Sequence, residues 1–210
     1  MAPGLQVRFL GASSVLFTDG TDTVVIDGFV SRHSVWRLAT SRIGSDPVAL
    51  DRHVRAHVRG RLAGVFIAHT HFDHALDAFD LARPPVRLFG SVDLQRMAGE
   101  TDRVEVLRSG VEVALGEFTV TPIRTEHSAG DLAPGHITTV LNRPAYAWQF
   151  RGGENFAFLV THGTCRILVV TSAGEPGDAF RRVRADVVLL STGRLGNTDE
   201  PRMRRYWRDA

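Results

Sequence analysis

Residues 65–74, with the sequence VFIAHTHFDH, join a short apolar run to a cluster of three histidines and one aspartate. The run is short and bounded by glycine, so it predicts a buried strand that ends at the cluster. His69 and His71 are two residues apart at the strand end, where side chains at this spacing point to the same side and can converge on one metal ion. Asp73 and His74 follow on the next turn and can face a position next to the first metal ion. The stretch therefore predicts a metal site.

The remaining sequence predicts many strands with a few helices between them. Short apolar runs that end in turn residues predict strands at 5–10, 15–17, 23–27, 86–89, 103–107, 111–114, 118–125, 156–160, 166–170 and 187–190. Helices are predicted at 75–82, at 91–98 and from about residue 200. A further helix is predicted at 47–59, with Ser45 or Asp46 as its cap and Pro47 in its first turn.

This order of elements predicts two sheets covered by helices. No linker separates two parts of the chain, so we expect one domain over residues 1–210. The segment 128–153 is long, irregular and rich in glycine and proline. A segment of this kind inside a compact domain is typical of a functional lid or a disordered insertion.

Composition excludes several classes of protein. The 210-residue chain has 25 basic side chains against 23 acidic ones, and every basic side chain other than histidine is arginine. Without lysine there is no Schiff-base lysine and no phosphate-loop lysine. The near balance of charge predicts no nucleic-acid partner. No apolar stretch is long enough for a membrane span, and residues 1–8 lack the pattern of a secretory signal, so we expect neither. The single Cys165 allows no internal disulfide, so we expect a cytoplasmic protein.

The cluster His69-x-His71-x-Asp73-His74 at the end of an apolar strand resembles the signature of the metallo-β-lactamase superfamily of hydrolases. Residues 9–14 and 24–27 are similar to the opening strands of that superfamily. His127, within residues 125–128, stands where the superfamily places its third histidine. Within the superfamily, the chain resembles the branch of ascorbate-phosphate lactonase-like proteins, which are described as metal-dependent hydrolases.

The resemblance implies an α/β fold, a four-layer αββα sandwich with the metal at one edge. It implies zinc most often, with manganese or iron as alternatives. His69, His71 and His127 would then hold a first ion, and Asp73 and His74 a second. A three-histidine site leaves a coordination position open for water and lowers the pKa of that water towards neutrality. Asp73 would orient the water and accept its proton.

The sequence departs from the superfamily pattern at two places. The superfamily supplies a bridging aspartate after a later strand, and here Ser172 or Ala173 stands at the matching position. A last histidine is expected after the next strand or on a further strand near the C-terminus, and the sequence to Ala210 supplies neither. A sandwich without its last strand is therefore an alternative to the complete one. Such a sandwich would expose a sheet edge and allow homo-oligomers to form.

These departures bear on the metal. The first position keeps three nitrogen ligands, whereas the second retains only Asp73 and His74. We therefore expect one firmly bound zinc ion and a second ion that is weakly bound or absent.

Other side chains have weaker claims. Asp27 either caps a turn or supports the metal site from behind, and the resemblance favours the second role. His136, in the long segment, either touches substrate or is solvated. Tyr146, Trp148 and Phe150 alternate as on a strand face, and they either pack or form a substrate wall. Four histidines without a partner pattern are expected at the surface, namely His33, His53, His57 and His162.

Three functions compete. The first is a hydrolase that uses a metal-activated water on a small-molecule lactone, amide or phosphoester. The second is a catalytically impaired metal-binding domain of the same fold, which acts as a binding or assembly module. The missing carboxylate and the missing histidine motivate this alternative. The third, a nuclease of the same fold, gains little from the charge balance. The substrate stays open because specificity would lie in the shape of the 128–153 segment.

Overall fold

The apolar runs of the sequence form strands in the computed structural model, which describes residues 4–12, 14–100, 102–174, 177–193 and 199–209. Strands in these ranges are β1 (Gln6–Gly11), β2 (Ser14–Thr18), β3 (Asp22–Ile26), β4 (Arg42–Ile43), β5 (Arg61–Phe66), β6 (Arg87–Gly90), β7 (Glu105–Val106), β8 (Val113–Leu115), β9 (Phe118–Thr125), β10 (Ala145–Tyr146), β11 (Asn155–His162), β12 (Cys165–Val170) and β13 (Val187–Leu190). Helices are α1 (Val35–Thr40), α2 (Pro47–His57), α3 (Phe72–Ala75), α4 (Ala78–Leu81), α5 (Val92–Met97) and α6 (Glu200–Asp209).

The first sheet has six strands in the order β1-β2-β3-β5-β6-β7. Strands β1 to β3 form an antiparallel meander, and β3, β5, β6 and β7 run parallel to one another. Parallel neighbours need crossover connections, which the short helices supply. Because β3 and β5 are parallel, with Ile26 beside Phe66, their carboxyl ends lie together. This placement brings Asp27 next to the histidine cluster.

The second sheet has five strands in the order β13-β12-β11-β9-β8. Strand β9 pairs along its full length with β11, from Thr125 opposite Asn155 to Phe118 opposite His162. Strands β12 and β13 are parallel, so Val170 lies beside Leu190. His127 follows the end of β9, and residues 171–173 follow the end of β12.

Apolar side chains fill the space between the sheets and both outer faces. Between the sheets, the ring of Phe66 stacks on Phe89 and meets the edge of Phe158. On the outer face of the first sheet, the buried cluster includes residues of α2, α4 and α5. On the outer face of the second sheet, Tyr206 of α6 is 1% exposed and its hydroxyl donates to the carbonyl of Ser191 at 2.8 Å. The result is the predicted four-layer αββα arrangement.

Two predicted elements differ from the observed ones because of specific hydrogen bonds. The helix expected at 75–82 is split into α3 and α4, because the buried carboxylate of Asp77 accepts hydrogen bonds from the backbone N–H groups of Val30 and Ser31, each at 2.7 Å. The strand expected at 65–68 begins at Arg61 and ends at Phe66. The N–H of Ala68 donates to the Asp27 side chain instead of continuing the ladder.

The prediction of a strand face at Tyr146, Trp148 and Phe150 is wrong. Residues Ala147–Gln149 form a 3-10 turn in which Tyr146 stacks on Trp148, with ring centroids 4.4 Å apart. Phe150 is fully buried in the core beneath the helices. A run of three alternating residues is too short to separate a strand from a tight turn.

The 128–153 segment is fixed to the body of the fold by a buried carboxylate. Asp93, at the start of α5, accepts hydrogen bonds from the N–H of Ile137 at 2.8 Å and from the N–H of Glu154 at 3.2 Å. Gly153 has a φ of +66°, and a Cβ there would lie 2.5 Å from the Asp93 carboxyl. Glycine is therefore required at this crossing. None of the helices in the described ranges is both long and apolar enough to cross a membrane.

Candidate metal centre

His69 is the deepest residue of the histidine cluster. Its side chain is 1% exposed, and neither of its ring nitrogens has a hydrogen-bond partner among the described residues. The neighbouring Asn155 directs its amide N–H groups to Thr125 and to the carbonyl of Glu126, and its own oxygen makes no hydrogen bond within the described structure. Unpaired buried nitrogens cost free energy unless something satisfies them.

His71 and His127 complete a triangle around this ring. One ring nitrogen from each of the three histidines lies within 4.8 Å of the other two. The ring centroid of His69 is 4.8 Å from that of His71 and 4.6 Å from that of His127. Three imidazoles gathered in this way, one of them without any other partner, fit a single metal ion. The structure thus brings together the three residues that the sequence predicted as ligands of the first ion.

Protein oxygens fix which nitrogen each outer ring can offer. Nε2 of His71 lies 3.2 Å from the carbonyl oxygen of Ala133, and Nδ1 of His127 lies 3.0 Å from the carbonyl oxygen of Ser128. A ring nitrogen that donates to a carbonyl carries the proton, so the other nitrogen keeps its lone pair. Nδ1 of His71 and Nε2 of His127 are therefore the nitrogens available to a metal. Such carbonyl partners orient the ligands of metal sites.

His74 is held by Asp27, which the sequence placed behind the site. Nδ1 of His74 lies 2.7 Å from Oδ2 of Asp27, and the other carboxylate oxygen accepts the N–H of Ala68 at 2.7 Å. Asp27 is fully buried and has a φ of +48°, a conformation that costs energy for a side chain other than glycine. The pairing leaves Nε2 of His74 free, 3.8 Å from the carboxylate of Asp73, whose side chain is 46% exposed.

The protonation of the cluster follows from burial and from the carboxylates. Burial lowers the pKa of His69 well below its ordinary value, and the imidazoles of His74 and His127 lower it further. Burial and the nearby His71 also lower the pKa of His127. Burial alone would lower the pKa of His74, but the carboxylate of Asp27 outweighs it, and the pKa is raised. The lowered pKa values favour the neutral forms of His69 and His127, which are the forms that bind a metal.

Asp131, which the sequence analysis did not single out, lies next to the triad of His69, His71 and His127. Its Oδ1 is 3.0 Å from Nε2 of His71, and its Oδ2 is 3.9 Å from Nδ1 of His127. The same Oδ1 accepts the N–H of Ala133 at 2.8 Å, which closes a turn in the long segment. No spacing rule links a loop aspartate to histidines from two other parts of the chain, so no sequence signal marked it.

The position of the missing bridging carboxylate is occupied by small side chains. Ser172 is buried and its hydroxyl accepts the N–H of Ser128 at 2.9 Å, and Ala173 beside it is also buried. Both line the cavity at the metal centre. A Cβ at the following Gly174 would lie 2.0 Å from the carbonyl oxygen of Glu126, so the chain after β12 lies directly against the chain after β9. Glycine at position 174 is therefore required by this close approach.

The triad opens onto a cavity of about 1000 Å³ between the two sheets. His69, His71, Asp73, His74 and His127 all line it. Trp148 and Phe150 line the same space, so two of the three aromatic residues of the long segment form part of its wall. The cavity has the size of a small-molecule site and places the candidate ligands where a substrate could reach them.

Two further histidines, His136 and His162, lie outside the lining of the cavity. The side chain of His136 is 61% exposed while Nδ1 lies 3.1 Å from the Asp93 carboxylate. The prediction that His162 is a surface group is wrong, because its side chain is only 11% exposed and lies 3.2 Å from Asp19. A histidine at the end of β11 can reach the β2–β3 turn only across the sandwich, which sequence spacing does not reveal.

No family model matches the chain. A UPF0173 metal-dependent hydrolase from Chloroflexus aurantiacus is 28% identical over 157 residues, which cover 72% of this chain and 61% of the relative. A UPF0173 metal-dependent hydrolase from Rhizobium leguminosarum is 25% identical over 140 residues, which cover 65% of this chain and 54% of the relative. The chain thus matches less than two thirds of the length of either relative.

Solved structures show the same fold at low identity. A possible metal-dependent hydrolase from Veillonella parvula has a TM-score of 0.57 and 15% identity, with 90% of this chain and 71% of that one covered. A metallo-β-lactamase fold protein from Bacillus subtilis has a TM-score of 0.51 and 18% identity, with 89% and 68% covered. A diiron β-hydroxylase from Streptomyces venezuelae has a TM-score of 0.56 and 18% identity, with 90% and 34% covered. With the αββα sandwich and the histidine motif, these comparisons show that the chain has the metallo-β-lactamase fold and is similar in sequence to UPF0173 metal-dependent hydrolases.

Proposed function

We propose that the chain is a hydrolase that uses a metal-activated water on a small-molecule lactone, amide or phosphoester. The observation that carries this proposal is the buried ring of His69, whose two nitrogens lack a protein partner in the described structure and face the rings of His71 and His127. Buried imidazole nitrogens without hydrogen bonds destabilise the fold, whereas three imidazoles at the wall of a cavity can bind a metal ion.

Each residue of the centre has a role in this proposal. His69, His71 and His127 would hold the ion, which when bound supplies Lewis acidity and lowers the pKa of water. Asp73 lines the cavity with a partly exposed carboxylate, so it can orient a water molecule and accept its proton. His74 is oriented by Asp27 through Nδ1, and its Nε2 lies 3.8 Å from the Asp73 carboxylate.

The proposal includes one firmly bound zinc ion. Three imidazole ligands suit zinc, and manganese or iron are the alternatives. The second position offers Asp73 and His74 only, with Ser172 and Ala173 where a bridging carboxylate would stand. Two ligands hold an ion less firmly than three, so the second ion would be weak or absent.

Elemental analysis of protein purified without added metal tests the first half of the proposal. We expect close to one transition-metal ion per chain, and a loss of that ion in His71→Ala. Hydrolysis of a panel of esters, amides and phosphodiesters tests the second half. Activity that is present in the wild type and absent in His71→Ala supports the hydrolase. Protein that retains no metal in either form would overturn it.

A second candidate function is a metal-binding domain that has lost catalysis and serves as a binding or assembly module. The small buried side chains of Ser172 and Ala173 favour it, because they leave the second position without a bridging ligand. This alternative predicts full metal content without hydrolysis of any substrate in the panel. The same pair of measurements therefore separates the two functions.

A further inference from the structure

The walls of the cavity at the metal centre are largely apolar. Phe9 and Val15 of the first sheet face Val169 and Leu189 of the second sheet across it. These side chains come from the edge strands and their neighbours, where the two sheets separate. A ligand in this space would exchange water for hydrocarbon over most of its surface, and binding through such walls favours apolar groups.

The long segment adds further apolar side chains at the mouth of the cavity. Leu132 is 85% exposed and Trp148 is 54% exposed, and both line the cavity. Large apolar side chains that are exposed beside a concave site mark a surface that meets a ligand. Leu132 and Trp148 form the rim of the cavity. Leu132 directly follows Asp131, whose carboxylate contacts His71.

The charges around the cavity do not favour an anion. Among the described residues that line it, the carboxylates are Asp73 and Asp131, and there is no arginine or glutamate. These two carboxylates would balance the charge of one divalent ion. A phosphoester would then have to lose its hydration in an apolar space without a net attraction to offset that cost.

From these observations we infer that the site takes uncharged esters or lactones that carry an aliphatic or aromatic group of several carbons, and discriminates against phosphoesters. This inference rests on the proposed hydrolase function and narrows its substrate. In the reaction, the oxygen of water bonds to the carbonyl carbon and the acyl C–O bond breaks. One proton of the water passes through Asp73 to the departing oxygen, so the products are a carboxylic acid and an alcohol.

Esters with one leaving group and different acyl chains test the inference on the metal-loaded protein. We expect kcat/KM to rise from 4-nitrophenyl acetate through the butyrate to the octanoate, by up to about fourfold for each methylene that is buried. Bis(4-nitrophenyl) phosphate, which has the same leaving group and a negative charge, should be a poorer substrate than all three. A preference for the phosphodiester would overturn the inference and leave the hydrolase function intact.

Binding without turnover provides an independent readout. The ketones 2-pentanone and 2-nonanone cannot be hydrolysed, so calorimetry with the protein as purified reports only on the cavity. We expect 2-nonanone to bind at least about tenfold more tightly than 2-pentanone, since it adds four methylenes, and phenylphosphonate not to compete. Equal affinity for the two ketones would overturn the inference. Chain-length-dependent binding without hydrolysis of any ester would instead support the cavity and overturn the hydrolase.

A positive charge placed at the rim of the cavity should reduce the preference for the uncharged ester over the phosphodiester. Leu132→Arg adds a cation at an exposed position of the cavity mouth, so we expect the ratio of octanoate to phosphodiester kcat/KM to fall at least about tenfold. Val140→Arg is the matched control, because Val140 is 55% exposed in the same segment and lies outside the cavity lining. An equal change in both variants would show that net charge, rather than the cavity, sets the ratio, and would overturn the inference.

Discussion

The carboxylate of Asp131 lies 3.0 Å from Nε2 of His71, so the long segment meets the predicted metal-ligand motif through a charged side chain. The neighbouring carbonyl of Ala133 lies 3.2 Å from the same nitrogen. Together they occupy Nε2 of His71 and leave Nδ1 as the nitrogen available to a metal. A segment that the sequence could only describe as irregular thus positions one of the three candidate ligands.

Replacement of this carboxylate should weaken metal binding. We predict that Asp131→Asn raises the Kd for zinc by about 10–100-fold, because carboxylates next to ligand histidines fix the ring and increase its basicity. Competition with a chelator of known affinity measures this change. Asp178→Asn is the control, since it also removes one carboxylate but from a side chain that is 82% exposed. An unchanged Kd in Asp131→Asn would show that Asp131 has no role in metal binding and only closes the turn through its hydrogen bond with Ala133.

Asp27 should matter for stability even without metal. Asp27→Asn keeps an oxygen for one of the two hydrogen bonds and tolerates the left-handed backbone, so we predict a loss of about 1–3 kcal/mol in the free energy of unfolding. Asp27→Ala removes both bonds, leaves His74 unpaired in the interior, and should cost about 3–5 kcal/mol. Urea denaturation of metal-free protein measures both. Equal losses in the two variants would show that the hydrogen bonds to His74 and Ala68 contribute little.

The parts of the fold that follow local rules were predictable from the sequence. The helix α2 begins at the expected Pro47, after the Asp46 cap, because both signals act within one turn. The β11–β12 hairpin closes at Gly163 and Thr164, between the strands expected at 156–160 and 166–170. The convergence of His69 and His71 followed from their spacing at a strand end. That these rings bind an ion stays a prediction.

The remaining features depend on contacts between distant parts of the chain. The break between α3 and α4 reflects the bonds of Asp77 to Val30 and Ser31, 46 residues or more away. Asp131 reaches the triad because of the path of an irregular segment, and the Asp19–His162 pair spans 143 positions. Periodicity and caps carry no information about such pairs. They become visible only after the sheets are assembled.

The Asp19 carboxylate should make stability depend on pH in the acid range. Burial alone would raise its pKa, but the N–H groups of Asp22 and Thr21 donate to it and His162 lies beside it, so the pKa is lowered. A carboxylate with a lowered pKa in the folded state stabilises the fold above its unfolded pKa of about 3.9, and that stabilisation is lost as the pH falls towards the folded value.

We therefore predict that Asp19→Asn is less stable than wild type at pH 6, and that the difference shrinks as the pH falls from about 4 towards 2. Urea denaturation of metal-free protein at a series of pH values measures the difference. Glu117→Gln removes an exposed carboxylate and serves as the control. A difference that stays constant over this pH range would mean that the Asp19 charge has no part in stability.

Gly152 is the point at which the returning end of the long segment passes the metal-ligand motif. Its carbonyl accepts the N–H of Thr70 at 3.0 Å, and a Cβ there would lie 3.1 Å from Oδ2 of Asp131 and 3.2 Å from Nε2 of His71. These contacts are tighter than ordinary van der Waals contact, and the Asp131 side chain is the group most able to move. We predict that Gly152→Ala displaces Asp131 from His71 and raises the Kd for zinc about as much as Asp131→Asn does.

The loss of stability in Gly152→Ala should be modest, about 1–3 kcal/mol, because a side chain rather than the backbone gives way. If Asp131 is the group that moves, the effects of the two substitutions on metal binding are not additive. The double variant Gly152→Ala with Asp131→Asn should then bind zinc as weakly as Asp131→Asn alone. Competition with a chelator on all three proteins measures this. Fully additive losses would show that the methyl group disturbs His71 directly.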